Sequence, residues 1–153
     1  MDQKLRRMAW EIYEQNHKEK EIVIAGIYPR GYILSERLSA FIEEISTIKV
    51  NLLKINLDKD EPTQHPVVVS QHASLSKSVV VVVDDVVKSG KTLMYASQYF
   101  LNQKIKKLMT AILIDRNYKL YPIKADVVGL SLSTTLKDHV NVVLGKNESV
   151  YLD

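Results

Sequence analysis

Two adjacent carboxylates, Asp84 and Asp85, follow five consecutive valines, Val79 to Val83; after two more valines comes Lys88-Ser89-Gly90-Lys91-Thr92. An unbroken β-branched run marks a parallel strand buried on both faces, and open α/β sheets bind ligands at the carboxyl ends of such strands. The acids therefore belong to a crevice. Behind them, Gly90 can bend tightly, and Ser89 to Thr92 offer hydroxyls and backbone N–H groups at the start of an expected helix, which favours a bound phosphate. Acids beside a phosphate cradle point to a polyhydroxylated, phosphorylated ligand.

Two other readings compete. Gly90-Lys91-Thr92 matches the end of the nucleotide-hydrolysing GxxxxGK[ST] loop, but that loop needs a glycine where Asp85 stands. Alternatively, the stretch is a core strand followed by a solvated turn, since Asp, Ser and Gly are ordinary turn formers.

Val79 to Thr92 resembles the ribose-phosphate fingerprint of the type I phosphoribosyltransferases: an apolar run, two acids, two apolar residues, a variable residue, then Thr/Ser-Gly-x-Thr. The resemblance implies that Asp84 and Asp85 hold the ribose hydroxyls of phosphoribosyl pyrophosphate (PRPP), and that Lys88, Ser89, Gly90, Lys91 and Thr92 wrap its 5-phosphate. Hypoxanthine-guanine enzymes usually carry an aspartate general base at the variable position; Lys88 argues against that subfamily. Ala111 to Gly129 is similar to the LVDRGHRELPIRADYVGK segment of the pyrimidine-operon attenuators with uracil phosphoribosyltransferase activity, keeping Asp115-Arg116, Pro122-Ile123, Ala125-Asp126 and Val128-Gly129. Gly26-Ile27-Tyr28-Pro29-Arg30-Gly31 resembles that family's GIKTRG pyrophosphate loop.

Taken together, these resemblances imply an enzyme that displaces pyrophosphate from an anomeric carbon carrying oxocarbenium-like charge. Tyr28, Pro29, Arg30 and Gly31 would take the pyrophosphate, with Arg30 or backbone groups donating. Pro29 lacks an N–H, and it makes a cis bond after Tyr28 comparatively cheap. Mg²⁺ is the implied cofactor, bridging ribose and pyrophosphate oxygens mostly through ligand and water, with Asp84 and Asp85 as its protein-side acids. Lys59 stands in the polar stretch Asp58 to His65, where relatives carry a mobile loop with an arginine; it either closes on pyrophosphate as a catalytic cation with Asp85 and Arg30, or is a solvated lysine. Leu130 replaces the relatives' lysine after Val-Gly. The base pocket is expected under Ile123 to Gly129, with backbone groups near Val128 reading the base. Uracil leads as the base; the alternative is a nucleotide-sensing, RNA-binding regulator of pyrimidine genes with little or no catalysis. A homo-oligomer is also implied.

At 153 residues the chain fits a single domain, 1–153, and its 46% hydrophobic and 25% charged residues match an ordinary globular protein. With no cysteine, disulfides and thiol chemistry are excluded; His17, His65, His72 and His139 show no metal-ligand spacing. The charged N-terminus lacks a signal-peptide core and no apolar run reaches membrane-span length, so a cytoplasmic protein is expected. The net charge of +3 argues only weakly for nucleic acid, because Lys104, Lys106 and Lys107 at an expected helix end suit the helix dipole equally well.

Periodicity predicts helices over about Gln3 to Asn16, Gly31 to Ile45 and Thr92 to Asn102. Strands are expected at Glu21 to Ile27, Ile48 to Leu57, Val79 to Val83 and Leu108 to Ile114, with short apolar segments at Val67 to Val69, Asp126 to Leu130, Val140 to Leu144 and Val150 to Leu152. Alternating strands and helices imply an α/β fold, a central parallel sheet flanked by helices, with the last segments adding strands or a small hood.

Overall fold

The computed structural model of the protein describes residues 1–133 and 137–153. Side-chain alternation along its strands divides the apolar residues between two faces. Strands β1 (Glu21–Ile27), β4 (Val79–Val87) and β5 (Lys107–Asp115) are buried almost throughout. Ile22, Ile24, Val79, Val81, Val83 and Leu113 join helices α1 (Asp2–Asn16) and α2 (Arg30–Ile45) in one core. Val23, Ala25, Val80, Val82 and Ile112 pack with α3 (Lys91–Leu101) in the other. Each fully buried valine contributes about 1.5 to 3 kcal/mol, so the Val79–Val83 run is a main source of stability.

The sheet order is β3-β2-β1-β4-β5-β6, with β2 (Lys49–Asn56), β3 (Val68–Val69) and β6 (Val127–Ser131). Every pairing is parallel except β2 with the two-residue β3. The β1-α2-β2 unit runs to one side and β4-α3-β5 to the other, so the chain's direction reverses between β1 and β4; ligands bind at such a switch point. Strands β7 (Val140–Val143) and β8 (Ser149–Leu152) form a separate antiparallel hairpin, the expected hood. Arg37 of α2 bonds both Asp2 of α1 and Glu148 of the hairpin, tying the hood down. Among the described residues no helix is long and apolar enough to cross a membrane.

One strand outruns its expected end. β4 continues from Val83 to Val87, because Asp84, Val86 and Val87 keep pairing with Ile112, Ile114 and Asp115 of β5. Its pairing with β1 stops at Gly26 with Val83. The two acids therefore lie inside the strand, beside an edge that β1 has vacated.

Gly26 lets α2 settle on the sheet there. A Cβ on Gly26 would lie 2.3 Å from Ser35 Oγ, 2.5 Å from Tyr32 Cα and 2.6 Å from the Gly31 carbonyl oxygen. Two of those atoms are backbone, so Gly26→Ala must push the first turn of α2 off β1, at a cost of about 1 to 3 kcal/mol. A lowered melting temperature is the expected result; an unchanged melting temperature would show that α2 is free to shift.

Candidate active site

Asp84 and Asp85 are 3% and 4% exposed. Buried carboxylates need partners, and these come from two loops. Lys59 Nζ donates to both carboxylate oxygens of Asp84, at 3.3 and 3.4 Å, and lies 4.0 Å from Asp85 Oδ1. Arg30 Nη1 lies 3.5 Å from Asp85 Oδ2. Asp84 Oδ1 also accepts the Asp85 backbone N–H at 2.9 Å.

Gly31 makes this meeting possible. A Cβ there would be 2.6 Å from the Val83 carbonyl and 3.0 Å from Asp84 Cα, so only glycine lets the start of α2 touch the end of β4. The Tyr28–Pro29 peptide is cis, and the Tyr28 N–H donates to the Ile55 carbonyl at 2.9 Å.

The loop Lys88 to Thr92 closes the other side. Gly90 has φ +89°, the left-handed region open to glycine, and caps the start of α3. Its missing Cβ would meet the Ile123 side chain at 2.7 Å, so Ile123 props the loop from behind. The Ser89 carbonyl accepts the N–H groups of Leu120 and Tyr121, and Ser89 Oγ accepts that of Lys91 at 3.2 Å. Lys88 to Thr92, Lys59 and Asp84 together line a cleft of about 110 Å³. The Asp58 to His65 stretch rests against this cleft: Asp58 Oδ1 accepts two backbone N–H groups to set the turn, and Lys91 Nζ reaches the Asp60 carbonyl at 3.4 Å.

Three sequence segments thus converge as expected: Tyr28 to Gly31, Asp84 with Asp85, and Lys88 to Thr92. Of the two residues expected to meet the base, Ile123 stands against Gly90 of the loop Lys88 to Thr92 and Val128 lies in β6. Ile123 and Val128 pack against the second core, and neither lines the cleft of about 280 Å³ between the hood and the ends of β5 and β6, whose walls include Ile114, Leu130 and Val150. The Val128 carbonyl accepts from Arg7 Nη2 at 3.0 Å, so α1 covers the edge of β6. Lys54, which no sequence motif singles out, lies 5.1 Å from the Tyr28 ring centre and 5.6 Å from that of Tyr32. Its signal is a charge inside the apolar run Leu52-Leu53-Lys54-Ile55.

Fold and site together define a phosphoribosyl transferase domain. The family profile of that description matches residues 1–146, and the chain belongs to this family. Similar proteins include two called "Bifunctional protein PyrR". That of Pelotomaculum thermopropionicum is 38% identical over 148 residues, covering 92% of this chain and 82% of the relative, and that of Clostridium acetobutylicum is 33% identical over 150, covering 93% and 84%. The chain groups with these PyrR proteins. Solved structures sharing the fold include a hypoxanthine-guanine phosphoribosyltransferase of Bacillus anthracis, with TM-score 0.70 and 20% identity over 86% of this chain and 76% of the other. The hypoxanthine phosphoribosyltransferase of Trypanosoma cruzi gives TM-score 0.77 at 16% identity, covering 91% and 79%.

The acids' burial has a measurable consequence. Desolvation pushes the Asp84 carboxyl from 3.8 up to about 7; Lys59 opposes the rise and the neighbouring Asp85 charge adds to it. Between those two pH values the folded protein holds a proton that the unfolded chain has lost, so the contribution of Asp84 to stability is full below about 3.8 and is lost progressively as pH rises to about 7. Asp84→Asn removes this loss and raises the ligand-free protein's stability at pH 8 by at least about 1 kcal/mol. Denaturant midpoints of wild type and variant should diverge with rising pH; parallel profiles would mean that Asp84 ionises as freely as an exposed carboxyl.

Proposed function

We propose that the chain is a Mg²⁺-dependent phosphoribosyltransferase that joins a free nucleobase, uracil first, to PRPP and releases pyrophosphate. The carrying observation is the meeting of two basic loops on one buried acid pair: Arg30 with Asp85 and Lys59 with Asp84. In this reading the 5-phosphate rests on the loop Lys88 to Thr92, the ribose hydroxyls on Asp84 and Asp85, and the pyrophosphate among Tyr28 to Gly31. A base nitrogen attacks the anomeric carbon as its bond to the pyrophosphate oxygen breaks; the electron pair leaves with pyrophosphate, and the nitrogen's proton passes to water or to the departing pyrophosphate. Arg30 and Lys59 then turn from the acids to the leaving group.

The acid pair suits magnesium, which takes few protein ligands and keeps water; among the described residues there is no cluster of three or more ligating side chains that would form a complete protein cage. Bound there, the ion would neutralise ligand oxygens. The base is read under Ile123 to Gly129, where Ile123 stands beside Gly90 of the 5-phosphate loop and backbone groups near Val128 would read its edge.

A second reading, an RNA-binding regulator sensing nucleotides through the same pocket, is favoured by the relatives' designation as bifunctional. Of the expected basic cluster, Lys106 is paired with Glu19, and Lys107 bonds Gln15 and Asn16. Lys104 remains exposed, its carbonyl joined to the backbone of the exposed Lys77. An RNA contact would weaken as salt rises; no binding at low salt would eliminate this reading.

For the enzyme, product formation from PRPP and uracil is the expected outcome. PRPP binding without turnover of uracil, guanine, hypoxanthine, xanthine or adenine would remove catalysis. Lys59→Ala should cut the turnover number by roughly tenfold or more while changing the PRPP dissociation constant far less, because a contact made mainly in the transition state governs rate. Equal losses in both would make Lys59 an anchoring charge only.

A further inference from the structure

We propose that Lys54 is a further pyrophosphate-binding residue, held beside the pyrophosphate loop by the rings of Tyr28 and Tyr32. The inference rests on the phosphoribosyl-transfer reading and extends it to a strand outside the three recognised segments. Lys54 lies in β2 and pairs in register with Gly26, on which α2 begins. Its ammonium stands 5.1 and 5.6 Å from the two ring centres. Tyr28 precedes Pro29-Arg30-Gly31 and Tyr32 follows it, so the charge is fixed at the loop itself.

The cations nearby differ in their partners. Arg30 and Lys59 each face a buried carboxylate. Lys54 has no carboxylate partner among the described residues; only aromatic faces hold it, and these localise an ammonium without neutralising it. Such a charge remains available to an anion. It also answers a deficit in the loop, where Pro29 has no N–H to offer and Tyr28 stands at the lysine position of the GIKTRG motif that the segment resembles. The ammonium that the motif carries on the loop is here supplied across the sheet from β2. Tyr28 is 51% exposed, so the arrangement is open to an incoming ligand.

A nucleoside monophosphate provides the test because it fills the phosphate and ribose subsites but has no pyrophosphate. Binding of Mg²⁺-pyrophosphate, Mg²⁺-PRPP and uridine monophosphate would be measured by calorimetry for wild type, Lys54→Met and Lys54→Arg, with melting temperatures as a check on folding. Lys54→Met should weaken pyrophosphate and PRPP by about tenfold, the scale of one partly screened charge contact, and leave the monophosphate within about twofold. Lys54→Arg should retain most of the affinity. Unchanged pyrophosphate and PRPP binding in Lys54→Met, or equal weakening of all three ligands, would overturn the assignment. Wild type that binds neither PRPP nor pyrophosphate would overturn both this assignment and the transferase reading beneath it.

Discussion

Two carboxylates buried at the end of a valine strand must be neutralised, and the architecture around the site meets that demand. Taking a carboxylate out of water costs several kcal/mol unless opposite charge or donors replace the solvent. Asp84 and Asp85 obtain both from Lys59, Arg30 and one backbone N–H. Neither cation lies on the acids' own strand. The acids are thus stable only if the loop after β2 and the first turn of α2 are folded over them, so the ligand-free site is held together by cations from outside the acids' strand.

That dependence explains why glycine stands where it does. Gly26 and Gly31 remove the side chains that would lift α2 from β1 and from the end of β4, so Arg30 reaches Asp85 from the first turn of a helix. Gly90 serves the opposite side, giving α3 a start that only its left-handed backbone allows and leaving space for Ile123. Sheet topology contributes the rest. Because β1 stops pairing at Gly26 while β4 continues to Val87 along β5, the acids sit beside an open edge between two helix starts. Two positive helix termini and the side chains of Arg30 and Lys59 then surround one acidic pair, an arrangement suited to a ligand with anions at both ends and hydroxyls in the middle.

Much of this is legible in the residues. The valine run marks the central strand, and the periodic spacing of Leu34, Leu38 and Ile42 places α2 to within a residue. The acids and the glycine-hydroxyl loop are legible because their residues are local and contiguous. The central strand's end is hidden, since two charged residues look like a strand terminus until pairing with β5 is known. The two clefts differ in legibility: Ile123 meets Gly90 of the loop Lys88 to Thr92, whereas the cleft beneath the hood draws on Leu130, Val150 and the chain's first residues, which lie far apart in sequence. Lys54 shows in the sequence only as a charge within an apolar run, because its meaning depends on two tyrosines from outside its own strand.

The central claim is that the cations now on the acids exchange partners when substrate arrives. A crystal structure with Mg²⁺ and PRPP bound tests it directly. The expected result is ribose hydroxyls or the metal's water shell on Asp84 and Asp85, with Lys59 and Arg30 moved from these carboxylates onto the pyrophosphate. A bound ligand that leaves Lys59 on Asp84 and Arg30 on Asp85, as in the free protein, would contradict it.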